Sequence, residues 1–124
     1  MGSQVIIAII DDDLLVRESV ARLVNSMSYR AKAFASVNEF LASDHASNVR
    51  CIISDVQMPG SDPRKFQKRL AASGYKIPLV FMTALPSPAL KAQLMDGGAI
   101  CVLSKPFHQK EMTCCIAVAL ECGC

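Results

Sequence analysis

Four apolar runs in this chain end on side chains that can do chemistry. Val5-Ile6-Ile7-Ala8-Ile9-Ile10 ends on Asp11, Asp12 and Asp13, and Cys51-Ile52-Ile53-Ser54 ends on Asp55. Ile77 to Met82 ends on Thr83 and Ala84, and Ile100 to Leu103 runs into Ser104 and Lys105. Short apolar runs bounded by Pro, Gly and polar residues read as buried strands, and open α/β sheets place their ligands outside the carboxyl ends of such strands. Brought into one crevice, Asp11, Asp12 and Asp55 repel: at ~4 Å and an effective dielectric near ~20, each pair costs on the order of 4 kcal/mol. A cation must sit among them. Hard oxygen ligands at the mouth of a water-filled cleft suit Mg²⁺, which keeps several waters and takes one or two carboxylates. In that setting Asp55 is an expected nucleophile toward a phosphoryl group, giving an aspartyl-phosphate. Such a transfer depends on positioning and charge neutralisation, so Lys105 is expected to supply a second positive charge and Thr83 a hydroxyl able to turn toward the new group. No Walker loop and no Gly-rich nucleotide fingerprint is present, so ATP is not expected to bind.

The elements that must position these residues follow from periodicity. After the strand Val5 to Ile10, the residues Val16, Val20, Leu23, Val24 and Met27 repeat at helical spacing, and carboxylates before them suit a helix N-terminus on dipole grounds alone. Ala31 to Phe34 reads as a second strand. Ser36 is placed to cap a helix through Ala42, Glu39 completes a capping box, and Val37, Phe40 and Leu41 face inward. A third strand at Arg50 to Ser54 delivers Asp55, and a Pro-Gly turn follows at once. Arg64 to Ala72 is a helix with Phe66 and Leu70 inward; Arg64, Lys65, Lys68 and Arg69 line its other side, which reads as a solvated face. Ile77 to Met82 is strand four. Pro86 and Pro88 delay the next helix, which runs to Asp96 with Leu90 and Leu94 buried before Gly97-Gly98 stops it. Ala99 to Leu103 is strand five, and a last helix from near His108 buries Met112, Cys115, Ile116, Ala119 and Leu120. Five strands alternating with five helices predict one α/β domain: a doubly wound parallel sheet in the flavodoxin-like order 2-1-3-4-5, with right-handed crossovers and helices on both faces. Strands one and three are then neighbours, and Asp11, Asp12 and Asp55 share a crevice.

These motifs, in this order, resemble the receiver domain of two-component response regulators. Asp-Asp after the first strand, Asp55-x-x-Met58-Pro59-Gly60 after the third, Thr83-Ala84 after the fourth and Lys105-Pro106-Phe107 after the fifth carry the likeness, which covers residues 1–124. Phe34-Ala35-Ser36 through Phe40-Leu41 and the Gly98-Ala99 step are similar to the FixJ-type branch, whose members usually carry a DNA-binding domain after the receiver. The resemblance implies that Asp55 is the phospho-acceptor and that a sensor histidine kinase donates the phosphoryl group from a phosphohistidine. It implies that Asp12 and Asp55 bind Mg²⁺ directly, Asp11 through water, and the backbone carbonyl of Gln57 completes the protein's share. It also implies a switch through Thr83 and the residue three before Lys105, commonly aromatic in the family and here Val102. Pro63 stands where the family usually has glycine. Leu85, two residues after Thr83, places an apolar side chain near the phosphate entrance and is expected to hinder attacking water. Cys114 and Val118 lie off the inward stripe of the last helix, so a phosphorylation-favoured homodimer through the fourth helix, fifth strand and fifth helix is expected, with an output in transcription regulation.

Composition sets the outer limits. A chain of 124 residues with 52% apolar residues can bury a core without staples. Its formal charge of +2 gives no field that argues for direct nucleic-acid contact. No run approaches the ~20 apolar residues of a membrane span and no signal peptide is visible, so a cytoplasmic protein is expected. The six cysteines, Cys51, Cys101, Cys114, Cys115, Cys122 and Cys124, show no paired metal spacing, and Cys51 and Cys101 read as small hydrophobes within strands. His45 and His108 read as loop and helix-start residues. Three residues follow Glu121, which is expected to leave no room for a DNA-binding domain in this segment. Two other functional classes share the pattern. One is a degenerate receiver acting as a phosphorylation-independent interaction module, suggested by Pro63 and Val102. The other is a hydrolase of small phosphate esters, disfavoured because no separate general acid or substrate-gripping residues appear.

Overall fold

The computed structural model describes residues 5–43, 48–57, 62–85 and 87–122. The strands are β1 (Ile6–Ile10), β2 (Arg30–Phe34), β3 (Val49–Asp55), β4 (Leu79–Thr83) and β5 (Cys101–Ser104). Between and after them lie the helices α1 (Leu14–Ser26), α2 (Val37–Ala42), α3 (Pro63–Ala72), α4 (Pro88–Asp96) and α5 (Gln109–Cys122). All strand pairs are parallel and the order is β2-β1-β3-β4-β5, as the alternation of strand and helix patterns predicts. β1, β3 and β4 are interior and carry long branched or aromatic runs because both faces are covered. Ile7 to Ile10, Cys51 to Ile53 and Val80 to Met82 have no exposed surface.

The pleat sends alternate residues of each strand to opposite layers. Ala8, Ile10, Ile52 and Phe81 pack with Phe34, Phe40, Phe66, Leu70 and Leu94. Ile7, Ile9, Cys51, Ile53, Val80 and Met82 pack with Val20 and Val24 of α1 and with Met112, Cys115, Ile116 and Ala119 of α5. Phe40 stands edge-on between Phe34 at 5.3 Å and Phe66 at 6.4 Å, which ties α2 and α3 into the first layer. The inward residues expected of α1, α2, α4 and α5 face the core, although Val16, Leu23, Met27, Leu41, Leu90 and Leu120 are only partly buried.

Strand ends differ from the expected ones by one or two residues, and three of these shifts have a local reason. β4 starts at Leu79 rather than Ile77, since Pro78 has no N–H for the ladder, although its carbonyl accepts from Ile52 N–H at 2.9 Å. β5 starts at Cys101 because Gly98, at φ +106°, and Ala99 close the end of α4 through the bond from Ala99 N–H to Leu94 C=O. β3 extends through Asp55, because Asp55 and Val56 still pair with β4. Pro63 occupies the first turn of α3, where a missing N–H costs nothing, and Asp62 caps that helix by accepting from Arg64 N–H at 2.9 Å. The Met58-Pro59-Gly60 turn, Pro86, His45 and the tail from Gly123 lie outside the described residues, as does the side chain of Cys122.

Candidate functional site

The carboxyl ends of β1, β3, β4 and β5 deliver the predicted residues to one crevice. β1 and β3 pair through Ile10 opposite Ser54, which sets Asp11 beside Asp55. β3 and β4 pair through Asp55 opposite Met82, and β4 and β5 through Thr83 opposite Ser104, one residue before Lys105. Asp11, Asp12 and Asp55 each offer a carboxylate oxygen within 4.8 Å of the others. Among the described residues, this is the only group of three or more metal-type ligands so close together.

The three consecutive aspartates do three different things. Asp13 caps α1, its Oδ1 accepting from Leu15 N–H at 2.9 Å and Val16 N–H at 3.4 Å. The dipole reading of the cluster therefore holds for Asp13. Asp12 is exposed at the mouth, and Asp11 is fully buried below it. Asp11 accepts from the Asp13 N–H at 2.9 Å and from Lys105 Nζ at 3.1 Å. Burial raises its pKa above the ordinary carboxylate value, partly offset by the Asp13 N–H and by Lys105. Arg17 fastens the backbone here, donating from Nη1 to the Asp11 carbonyl at 2.7 Å. Sequence reasoning passed over Arg17, because one arginine in the first turns of a helix carries no signal of its own.

Lys105 is the pivot of the site. Its ammonium stands 3.1 Å from Asp11 Oδ2 and 3.1 Å from Asp55 Oδ1, while its N–H donates to the Thr83 carbonyl at 2.7 Å. Burial disfavours its charge, but the hydrogen bond to Asp11 and the close Asp55 carboxylate outweigh this and hold its pKa above the ordinary value. One ammonium among three carboxylates leaves the cluster two negative charges in excess. Asp55 Oδ1 is buried and accepts no aligned hydrogen bond despite its contact with Lys105. A buried carboxylate oxygen without an aligned donor, facing two further carboxylates, fits a small hard cation of the Mg²⁺ kind.

Thr83 is buried at the tip of β4, and its Oγ1 accepts from Leu85 N–H at 3.1 Å. Val102 is half-buried on β5, opposite Phe81. A groove of about 360 Å³ runs between β5 and α4, lined by Thr83, Ser87, Leu90, Lys91, Val102 and Ser104. Leu85 is 72% exposed beside the site. The structure adds a contact of the Gln57 side chain: its Oε1 accepts from Ala84 N–H at 2.9 Å, bridging the loops that leave β3 and β4. Only the Gln57 carbonyl had been considered from the sequence.

The chain is similar to known proteins in sequence and in fold. Nodulation protein W of Bradyrhizobium diazoefficiens is 31% identical over 97% of this chain and 53% of its own length. Transcriptional regulatory protein FixJ of the same organism is 32% identical over 93% of this chain and 56% of its own length. The chain thus spans about half the length of these curated relatives. The crystal structure of FixJ-N superposes with a TM-score of 0.84 at 25% identity, covering 97% of this chain and 96% of that one. The profile of the response regulator receiver domain matches residues 7–117, and with nearly the whole chain inside that match, this protein belongs to the receiver domain family of two-component response regulators.

Proposed function

We propose that this chain is a phospho-accepting receiver in which Asp55 takes a phosphoryl group from a phosphohistidine of a sensor histidine kinase. The carrying observation is the geometry at Asp55: a buried carboxylate at a strand tip, its Oδ1 lacking an aligned hydrogen bond, with Lys105 Nζ shared at 3.1 Å with Asp11. Asp11, Asp12, Asp55 and the backbone carbonyl of Gln57 would hold Mg²⁺, which supplies charge neutralisation for the transferring group. The chain's own part is positional. Asp55 forms the new O–P bond as the P–N bond of the donor breaks. Esterification removes one of the two carboxylates that Lys105 serves, so its ammonium is free to follow the phosphoryl oxygens while still held by Asp11. The Thr83 hydroxyl, already at the rim, turns from Leu85 N–H toward the same oxygens.

The output is a change of packing around Thr83. Val102 offers no ring to move into the neighbouring groove, so the signal travels through α4 and the β4–α4 loop rather than through an aromatic side chain. Val118 and Cys114 are exposed on α5, and Met95 is exposed on α4. They support a phosphorylation-favoured dimer through α4, β5 and α5, checked by sedimentation of both forms; monomers throughout would remove it. A cytoplasmic location and a role in transcription regulation belong to this reading, the latter supported by the relative named a transcriptional regulatory protein. Among the described residues no helix is long and apolar enough to cross a membrane. Intact mass after incubation with Mg²⁺ and a small acyl phosphate tests the proposal. One phosphoryl adduct on the wild type and none on Asp55→Asn supports it; equal labelling of both, or none on the wild type even with a kinase, overturns it.

A further inference from the structure

Both backbone amides that follow β4 are occupied by side-chain oxygens of the chain itself. Gln57 Oε1 takes the Ala84 N–H at 2.9 Å, and Thr83 Oγ1 takes the Leu85 N–H at 3.1 Å. The first of these crosses between strands. Asp55 lies opposite Met82, and the last backbone rung runs from Val56 N–H to Met82 C=O at 2.9 Å. Gln57 and Ala84 lie two residues beyond that facing pair, just past the ends of β3 and β4, and there a side-chain carbonyl takes the place of a further backbone rung. Gln57 and Ala84 are both exposed, so water could satisfy either group and burial does not force the bond.

An N–H at a strand tip beside a buried nucleophile is a ready donor to an anion. Ala84 N–H lies one residue beyond Thr83 and two beyond the residue facing Asp55, at the rim of the crevice. A transferring phosphoryl group brings three strong acceptor oxygens and would use such a donor. While Gln57 is seated, that donor is taken.

We propose that the Gln57 side chain is a latch: it competes with the incoming phosphoryl group for the Ala84 N–H and slows phosphorylation of Asp55 without touching the nucleophile. This rests on Asp55 being the phospho-acceptor. The amide of Gln57 is neutral, so it holds the N–H weakly enough to be displaced by a charged oxygen. Release also uncouples the β3–α3 loop from the β4–α4 loop, so latch opening and movement of Thr83 become one event.

The test compares wild type with Gln57→Leu, which keeps the bulk and loses the acceptor, and with Gln57→Ala. Two readouts are needed: solvent exchange of the Ala84 amide by NMR without any phosphoryl donor, and the rate of adduct formation with Mg²⁺ and a small acyl phosphate. The latch requires faster Ala84 exchange and about twofold to tenfold faster labelling in both variants, the range of one neutral hydrogen bond. Unchanged Ala84 exchange overturns it whatever the labelling does. Faster labelling in Gln57→Ala alone identifies a steric door and overturns it too, as does faster exchange with unaltered labelling. Faster exchange with no labelling of any protein overturns the receiver reading itself, and the latch with it.

Discussion

Replacing Asp55 by Asn should make the resting protein more stable while abolishing its chemistry. Asp55 Oδ1 stands 3.1 Å from the Lys105 ammonium, and one carboxylate oxygen of Asp55 lies within 4.8 Å of one from Asp11 and one from Asp12. At an effective dielectric near ~20, the contact with Lys105 is worth about 5 kcal/mol, and each carboxylate pair costs about 3 kcal/mol or more. Asn relieves the repulsion from buried Asp11 in full and that from exposed, solvent-screened Asp12 in part. Its neutral amide oxygen stays beside the Lys105 ammonium as a dipole and recovers a small part of the lost attraction. Asn also escapes the desolvation of a carboxylate that is 6% exposed, a penalty of several kcal/mol before compensation. The balance favours the variant by about 2 kcal/mol at low ionic strength with a chelator present. Urea denaturation at neutral pH measures it. Added Mg²⁺ should then stabilise the wild type more than the variant and narrow or invert the gap. A variant less stable than the wild type without Mg²⁺, or equal stabilisation of both by Mg²⁺, would refute the account of the crevice as an under-neutralised carboxylate cluster.

Four shorter predictions use other parts of the structure. Lys105 titrates above its ordinary value of 10.5 in the folded chain, so its stabilisation is fully present below that pH and lost as pH rises through the higher folded value; denaturation against pH should show this loss in the wild type and not in Lys105→Met. At Gly97 a Cβ would come 2.5 Å from Gln67 Oε1, and Gln67 is buried with its Nε2 donating to the Leu94 carbonyl at 2.8 Å. Gly97→Ala should therefore cost about 1–3 kcal/mol, and little of that should remain in a Gln67→Ala background. Burial pushes the thiols of Cys51 and Cys115 up to about 12, so a thiol reagent on the folded protein should modify exposed Cys114 well before either, as peptide mapping would read; early labelling of Cys51 would contradict the packing. Leu85, 72% exposed beside the site, should shield the phosphoryl group from water, and Leu85→Glu should shorten the lifetime of the labelled state; an unchanged decay rate removes that role.

The fold and the crevice were largely legible because both depend on strands whose faces are covered. Runs such as Ile6–Ile10 and Cys51–Ile53 have one buried solution, and the residue that ends each run is held at the carboxyl edge of the sheet. Adjacency of strands one and three then brings Asp11, Asp12 and Asp55 together without any further information. Less was visible where one residue type serves two roles. Asp13 and Asp11 are alike in sequence, yet one caps a helix in solvent and the other is buried under Lys105. Gln67 was missed as a core residue because a polar side chain among cations reads as surface; it is buried because its amide reaches the last turn of α4. Gln57 and Ala84 lie 27 positions apart, and only the β3–β4 register discloses that they meet. Pro63, which stands where the family usually has glycine, begins α3, since a helix start needs no N–H at that position.

The central claim is a covalent one, that the Asp55 carboxylate becomes an acyl phosphate. Reduction of the labelled protein with borohydride converts an aspartyl-phosphate to homoserine, and peptide mapping then locates the changed residue. Homoserine is expected at position 55, dependent on Mg²⁺ and on the phosphoryl donor. Homoserine at Asp11 or Asp12, or label on a histidine or serine that survives reduction unchanged, would contradict it.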